Sequence, residues 1–237
     1  MGTSYNSSIV TDGLVLCLDA ANPRSYPGSG TSWLDLSGNN RTGTLTNGPT
    51  FISNNGGIID FDGTNDYIEI NNARYSIDSL NISVEMWVYQ DVLHTDSTFS
   101  NIINLFEIPS SAVIGSESCF WLHLRSGNVS FRYQKAASQA QVSPEVEQEI
   151  NVWHHYVGTS DDDYISLYRD GQLIGSNSNS YTFSALSTIT PHARLGETGY
   201  YNKHFNGKMS GVKMYNRALS ADEVRRNYNA TRGRYGN

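Results

Sequence analysis

Val152–Ser176, VWHHYVGTSDDDYISLYRDGQLIGS, is the stretch that decides the fold class. Its middle alternates: Ile165 and Leu167 fall on one side, Ser166 and Tyr168 on the other. A period of two marks a β-strand buried on one face, because successive side chains leave a strand in opposite directions. Arg169-Asp170-Gly171-Gln172 then places Asp-Gly between two apolar runs. Both residues tolerate the positive φ of a type I′ turn, and Leu173 and Ile174 resume the chain on a return strand. The stretch predicts an antiparallel hairpin.

The same pattern recurs on either side. Gly13–Asp19, GLVLCLD, is apolar on both faces, as a central strand is, and a turn-rich loop around Asn22-Pro23 and Pro27-Gly28 follows. Gly57–Ile70 reads as strand, turn, strand. Ile82–Gln90 alternates strictly, with Ile82, Val84, Met86 and Val88 inward and Glu85, Trp87 and Tyr89 opposite. Residues 100–107, 119–125 and 129–134 predict three more strands, with a hairpin turn at Ser126-Gly127-Asn128. Lys135–Glu149 is polar and the least constrained segment, and Asn206–Tyr215 is the final strand. Ser220 and Glu223 then fit a capping box, and Val224, Tyr228 and the Arg225 stem give a short helix a face to bury.

Composition bounds the function. The 237 residues are 38% hydrophobic, spread along the chain, which suits one large β domain. A net charge of −7 and no basic stripe argue against nucleic acid. No run reaches the ~18 apolar residues of a membrane span. Met1–Gly13 has neither a basic segment nor an apolar core, so a secretion signal is not expected and synthesis in the cytoplasm is. Cys17 and Cys119 sit in strand-like apolar runs; two buried thiols are the favoured reading, with a disulfide as the alternative.

Several motifs carry a family resemblance. Trp153-His154-His155-Tyr156-Val157 followed by Leu167-Tyr168-Arg169-Asp170-Gly171 resembles the W-x-H and L-Y-x-D-G core of laminin-G-like domains. So do Phe61-Asp62-Gly63 with Asp66-Tyr67, the strand Ser83–Val88, and the ending Gly207–Glu223. These domains belong to the concanavalin A-like lectins and glucanases. The resemblance implies an all-β, two-sheet antiparallel jelly-roll sandwich with a short C-terminal helix. It covers 13–230, between an extension at 1–12 and a tail at 231–237. The opening SSIVTDGLVLCLDAANPRSYPGSG resembles laminin-G-like proteins of marine tailed phages. That implies a virion surface component, a fibre or capsid decoration, whose partners are host cell-surface carbohydrate and other virion proteins, with a homo-oligomer as an option.

Candidate chemistry follows from residue types. Sugar binding needs an exposed aromatic face with hydroxyl-bonding groups beside it. Tyr200, Tyr201, Asn202 and His204 form the best such cluster, and Trp33, near Asp35 and Asn39, is second. The bland reading is that these aromatics plug the ends of the sandwich or form a subunit contact. Relatives often hold calcium, for which Asp19, Asp35, Asp62 and Asp66 are the candidate ligands; the alternative is that each bonds its own turn. Ser210-Gly211 stands where many relatives have acidic residues, which weakens the calcium expectation. Glu145-Val146-Glu147-Gln148-Glu149 has the spacing of a glucanase acid/base strand, but it lies in the polar segment and reads as a solvated edge. His154 and His155 face opposite sides of one strand, so they cannot share a metal; the resemblance gives His155 a structural role, bonded to backbone. The expected function is a noncatalytic carbohydrate-binding module, with a structural virion protein as the alternative and a glycoside hydrolase behind both.

Overall fold

The computed structural model describes residues 8–71, 80–95, 103–109, 118–135, 138–179, 192–198 and 203–236. Strands are numbered in chain order. One sheet runs β14 (Gln172–Ser178), β13 (Tyr164–Arg169), β12 (Trp153–Ser160), β7 (Ile82–Gln90), β18 (Asn206–Tyr215), β5 (Ile58–Asp62) and β4 (Thr50–Ile52). β1 (Leu14–Asp19) also pairs with β18 in this sheet. The second sheet runs β11 (Ser138–Val142), β10 (Asn128–Lys135), β9 (Ser118–Arg125), β8 (Ile103–Pro109), β15 (Ala193–Leu195), β6 (Tyr67–Ile70), β3 (Gly43–Thr46) and β2 (Ser32–Trp33). A small hairpin joins β16 (Glu197–Thr198) to β17 (Lys203–His204). Every ladder among the described residues is antiparallel, and the two large sheets pack face to face as the expected jelly-roll sandwich.

The core lies between the sheets. Leu16, Leu18, Val84, Met86, Ile165 and Leu167 enter it from the first sheet, and Ile68, Phe120, Leu122, Phe131 and Leu195 from the second. Gly158 of β12 lies under the Phe131 ring, and a Cβ there would come within 2.4 Å of that ring. The hairpin at Asp170-Gly171 forms as the sequence predicts, with φ of 53° and 77°. In β18 the register shifts between Met209 and Val212. This bulge at Ser210-Gly211 keeps Met209, Val212 and Met214 all in the core although the first two are three residues apart.

The opposite face of the first sheet is buried as well, because helix α1 (Ala221–Thr231) lies across it. The capping box is present: the Glu223 N–H donates to Ser220 Oγ at 3.3 Å, and the Ser220 N–H donates to Glu223 Oε2 at 2.9 Å. Val224, Asn227 and Thr231 form the buried stripe, Tyr228 is half-buried and Arg225 is exposed. Under the helix, Glu85 of β7 is fully buried, with Lys213 Nζ at 2.6 Å, His155 Nε2 at 3.1 Å and Asn227 Nδ2 at 2.6 Å. Burial alone would raise the Glu85 carboxyl, but the Lys213 ammonium and His155 hold it well below the usual carboxylate range. His155 therefore has a carboxylate as its partner, where a backbone group was expected.

Other segments of the chain are placed as follows. Within 135–149, Ala140 and Val142 point inward from β11, so part of the polar segment is a strand. Segment 231–237 is packed through residue 235: Tyr235 stacks on Trp87 at 4.0 Å, and Arg234 pairs with Asp19 at 2.8 Å. Residues 8–12 are held too, since the Val10 N–H donates to Asn227 Oδ1 at 2.7 Å. Cys17 is a buried free thiol whose pKa burial pushes up to about 11, and the Cys119 side chain lies outside the described residues.

Removing one partner of a buried ion pair leaves the other charge uncompensated, which destabilises by roughly 3–5 kcal/mol. Lys213→Met is expected to lose that much in urea unfolding, and the double variant Glu85→Gln/Lys213→Met to recover part of it. A loss under about 1 kcal/mol for Lys213→Met would show that the buried charge pair contributes little to the stability of the fold.

Candidate functional site

The outer face of the second sheet carries charged, amide and aromatic side chains where an uncovered face would show them scattered. Alternation puts them there: Phe120, Leu122 and Leu124 of β9 enter the core, so Trp121, His123 and Arg125 point outward. On β10, Val129, Phe131 and Tyr133 enter the core, and Ser130, Arg132 and Gln134 point outward. The register lines up one row across six strands: Glu69, Arg194, Glu107, Trp121, Arg132 and Gln141. Asn104, His123 and Ser130 form the next row.

The two halves of this face differ. Towards β6 and β15 the charges are paired: Arg194 is 2.6 Å from Glu197 and 3.6 Å from Glu69, and its guanidinium lies over the Tyr67 ring. Asn104 Nδ2 donates to Glu107 Oε2 at 2.7 Å. A register shift in β8 after Asn104 frees its backbone N–H, which donates to Thr198 Oγ1 at 3.1 Å and draws the β16–β17 hairpin onto the face. Towards β9 and β10 the Arg132 guanidinium lies over the Trp121 ring at 4.8 Å and donates to the side-chain carbonyls of Gln134 and Gln139. Asn104 Oδ1, Trp121 Nε1, His123 Nδ1 and Arg132 Nε are buried and have no hydrogen-bond partner among the described residues. Buried polar atoms are normally satisfied, and four of the fourteen unsatisfied ones among the described residues fall together on these adjacent strands, which makes this part of the face the candidate site.

The residues singled out from sequence fall as follows. Trp33 is fully buried, opposite Gly43, and offers no stacking face; this corrects the expectation for it. A Cβ on Gly43 would already meet Ile68 at 3.0 Å, so this corner is close-packed core. His204 is buried in the β16–β17 hairpin, paired with Glu197. Tyr200, Tyr201 and Asn202 lie outside the described residues, within the connection of that hairpin.

The four aspartates are held in turns. Asp35 accepts from the backbone N–H groups of Cys17, Ser37 and Arg41 and from Ser37 Oγ. Asp19 bonds Ala21 and pairs with Arg234. Asp62 accepts from Thr64, and the buried Asp66 accepts from the Asp62 N–H. Among the described residues no three carboxylate, imidazole or thiol groups converge as a candidate metal cluster. The turn-bonding alternative describes what these residues do.

Glu145 and Glu147 line a separate rim cleft of about 600 Å³ with Leu93, Ser126 and Asn128, and Glu149 pairs with Arg169 at 3.0 Å. The three acids lie outside any strand longer than a single bridge.

Comparison with known proteins agrees with this architecture. The chain belongs to the concanavalin A-like lectin/glucanases superfamily, whose laminin-G-type model matches residues 62–225. No curated protein matches it in sequence. Among solved structures, it is similar to the binding domain of botulinum neurotoxin serotype D (TM-score 0.70, 16% identity, covering 93% of this chain and 52% of that one). That toxin domain has also been solved with N-acetylneuraminic acid (TM-score 0.70, 17% identity, 93% and 51% covered). A third similar structure is domain 4 of AbnA, an extracellular arabinanase from Geobacillus stearothermophilus, in complex with arabinotriose (TM-score 0.68, 18% identity, 90% and 96% covered). The chain spans about half the length of the toxin domains it matches.

His123 supplies a test of the face as folded. Burial, with Arg132 and Arg125 nearby, pushes its pKa down to about 3. The unfolded chain therefore takes up a proton near pH 6.5 that the folded chain refuses, and stability falls as pH drops from there towards 3. Between pH 6.5 and 5 the expected loss is up to about 2 kcal/mol. Unfolding curves of His123→Gln are expected to be flatter over that window; an unchanged slope would show that His123 is not buried neutral.

Proposed function

We propose that the protein is a noncatalytic carbohydrate-binding module and that sugar binds on the outer face of the second sheet. The observation that carries this is the group of four unsatisfied buried polar atoms beside Trp121, an arrangement suited to hydroxyl groups on a compact ring. The arabinanase domain adds support, since it is matched over 96% of its length and was solved with an oligosaccharide. The hairpin connection bearing Tyr200, Tyr201 and Asn202 springs from β16 and β17 at the border of this face, so the aromatic loop read from sequence belongs to the same proposal. The resemblance of the opening residues to phage proteins supports display on a virion surface, with host cell glycans as ligands.

A glycan array probed with the full chain tests the reading. Selective binding is expected, lost in Trp121→Ala and unaffected by chelator. Loss in Tyr200→Ala or Tyr201→Ala with Trp121→Ala unaffected would move the site to the hairpin connection. A folded protein that binds no glycan would overturn the proposal and favour a structural role among virion proteins.

A further inference from the structure

Arg132 is 7% exposed, and among the described residues no carboxylate lies within ion-pair distance of it. Its partners are two amide carbonyls and an indole face, and its Nε has none. The electrostatic neighbour that acts on it is Arg125, of the same sign. Taking a guanidinium out of water without a counter-charge is strongly unfavourable, and charges so buried are ordinarily paired. By contrast, Arg194 on the same face has Glu197 and Glu69 beside it. The missing counter-charge is thus local to the β9–β10 half.

The other unsatisfied atoms there are neutral. Trp121 Nε1 donates, Asn104 Oδ1 accepts, and His123 is held uncharged. A neutral sugar would satisfy these and leave the guanidinium unanswered. A free inorganic anion would answer the guanidinium and accept from Trp121 Nε1 but leave the acceptor Asn104 Oδ1 unpaired. Resting on the carbohydrate reading above, we infer that the ligand is an acidic sugar whose anionic group, a carboxylate or a sulfate ester, is bound by Arg132 while its ring hydroxyls meet Trp121, Asn104 and His123. Guanidinium suits this task because its planar fork matches both anions.

The test titrates the full chain with D-glucuronate, N-acetylneuraminate and D-galactose 6-sulfate, with D-glucose and D-galactose as neutral counterparts and with inorganic sulfate alone. Calorimetry gives affinity, and tryptophan fluorescence, compared with Trp121→Phe, reports contact at the face. At least one acidic sugar is expected to bind tenfold or more tighter than its neutral counterpart, and to lose tenfold or more in Arg132→Gln. Arg132→Lys, which keeps the charge and covers the case in which Arg132→Gln fails to fold, is expected to retain part of that affinity. The carboxylate and sulfate arms identify which anion is preferred. Equal binding of acidic and neutral sugars, unchanged in the Arg132 variants, would overturn this inference and leave the carbohydrate reading standing. Sulfate ion binding as tightly as any sugar would also overturn it. No binding of any sugar by the folded chain would overturn both.

Discussion

The buried carboxylate of Glu85 is the constraint on which the rest of the molecule is arranged. A lone ionised acid inside a protein is not tolerated, so three separate parts of the chain must reach it. Lys213 arrives from the final strand, His155 from the Trp153 strand and Asn227 from the C-terminal helix. Asn227 passes the connection on to Tyr215 Oη at 2.9 Å and to the Val10 backbone. One acid therefore fixes the register of three neighbouring strands, seats the helix and gathers the N-terminal residues beneath it. An apolar residue at position 85 would pack as well without demanding any one arrangement, which is the difference between filling a space and specifying it.

That arrangement makes the sandwich asymmetric. The first sheet is covered on both faces, by the core and by the helix with its Trp87, Tyr228 and Tyr235 stack. The second sheet is covered by core on one face and carries polar side chains on the other. The outward-pointing side chains of the second sheet are nonetheless largely buried, with Asn104, Glu107 and His123 each 1% exposed and Arg132 7%.

Much of the fold was legible because it rests on short-range signals. The Asp170-Gly171 turn, the alternation of Ile82–Gln90 and the Ser220–Glu223 cap each involve residues close in sequence. The links among Glu85, Lys213 and Asn227 were not legible, since the partners stand 128 and 142 residues apart and nothing local pairs them. The candidate face was half legible. The alternation of Trp121, His123 and Arg125 with Phe120, Leu122 and Leu124 shows that aromatic and basic groups share a side. Only strand register shows that Arg132 stands opposite Trp121. Trp33 misled because its polar neighbours Asp35 and Asn39 suggested a rim, whereas Gly43 across the ladder makes room for it inside.

Both ends of the described chain lie on the helix side of the molecule. Ser8 accepts hydrogen bonds from Arg226 on the helix, and Tyr235 is wedged against Trp87 on the same outer surface. The polar face of the second sheet is on the far side of two layers of strands. The two ends of the described residues and the polar face thus lie on opposite sides of the sandwich. On the carbohydrate reading proposed above, the architecture works as a mount, with the helix side behind and the polar face in front.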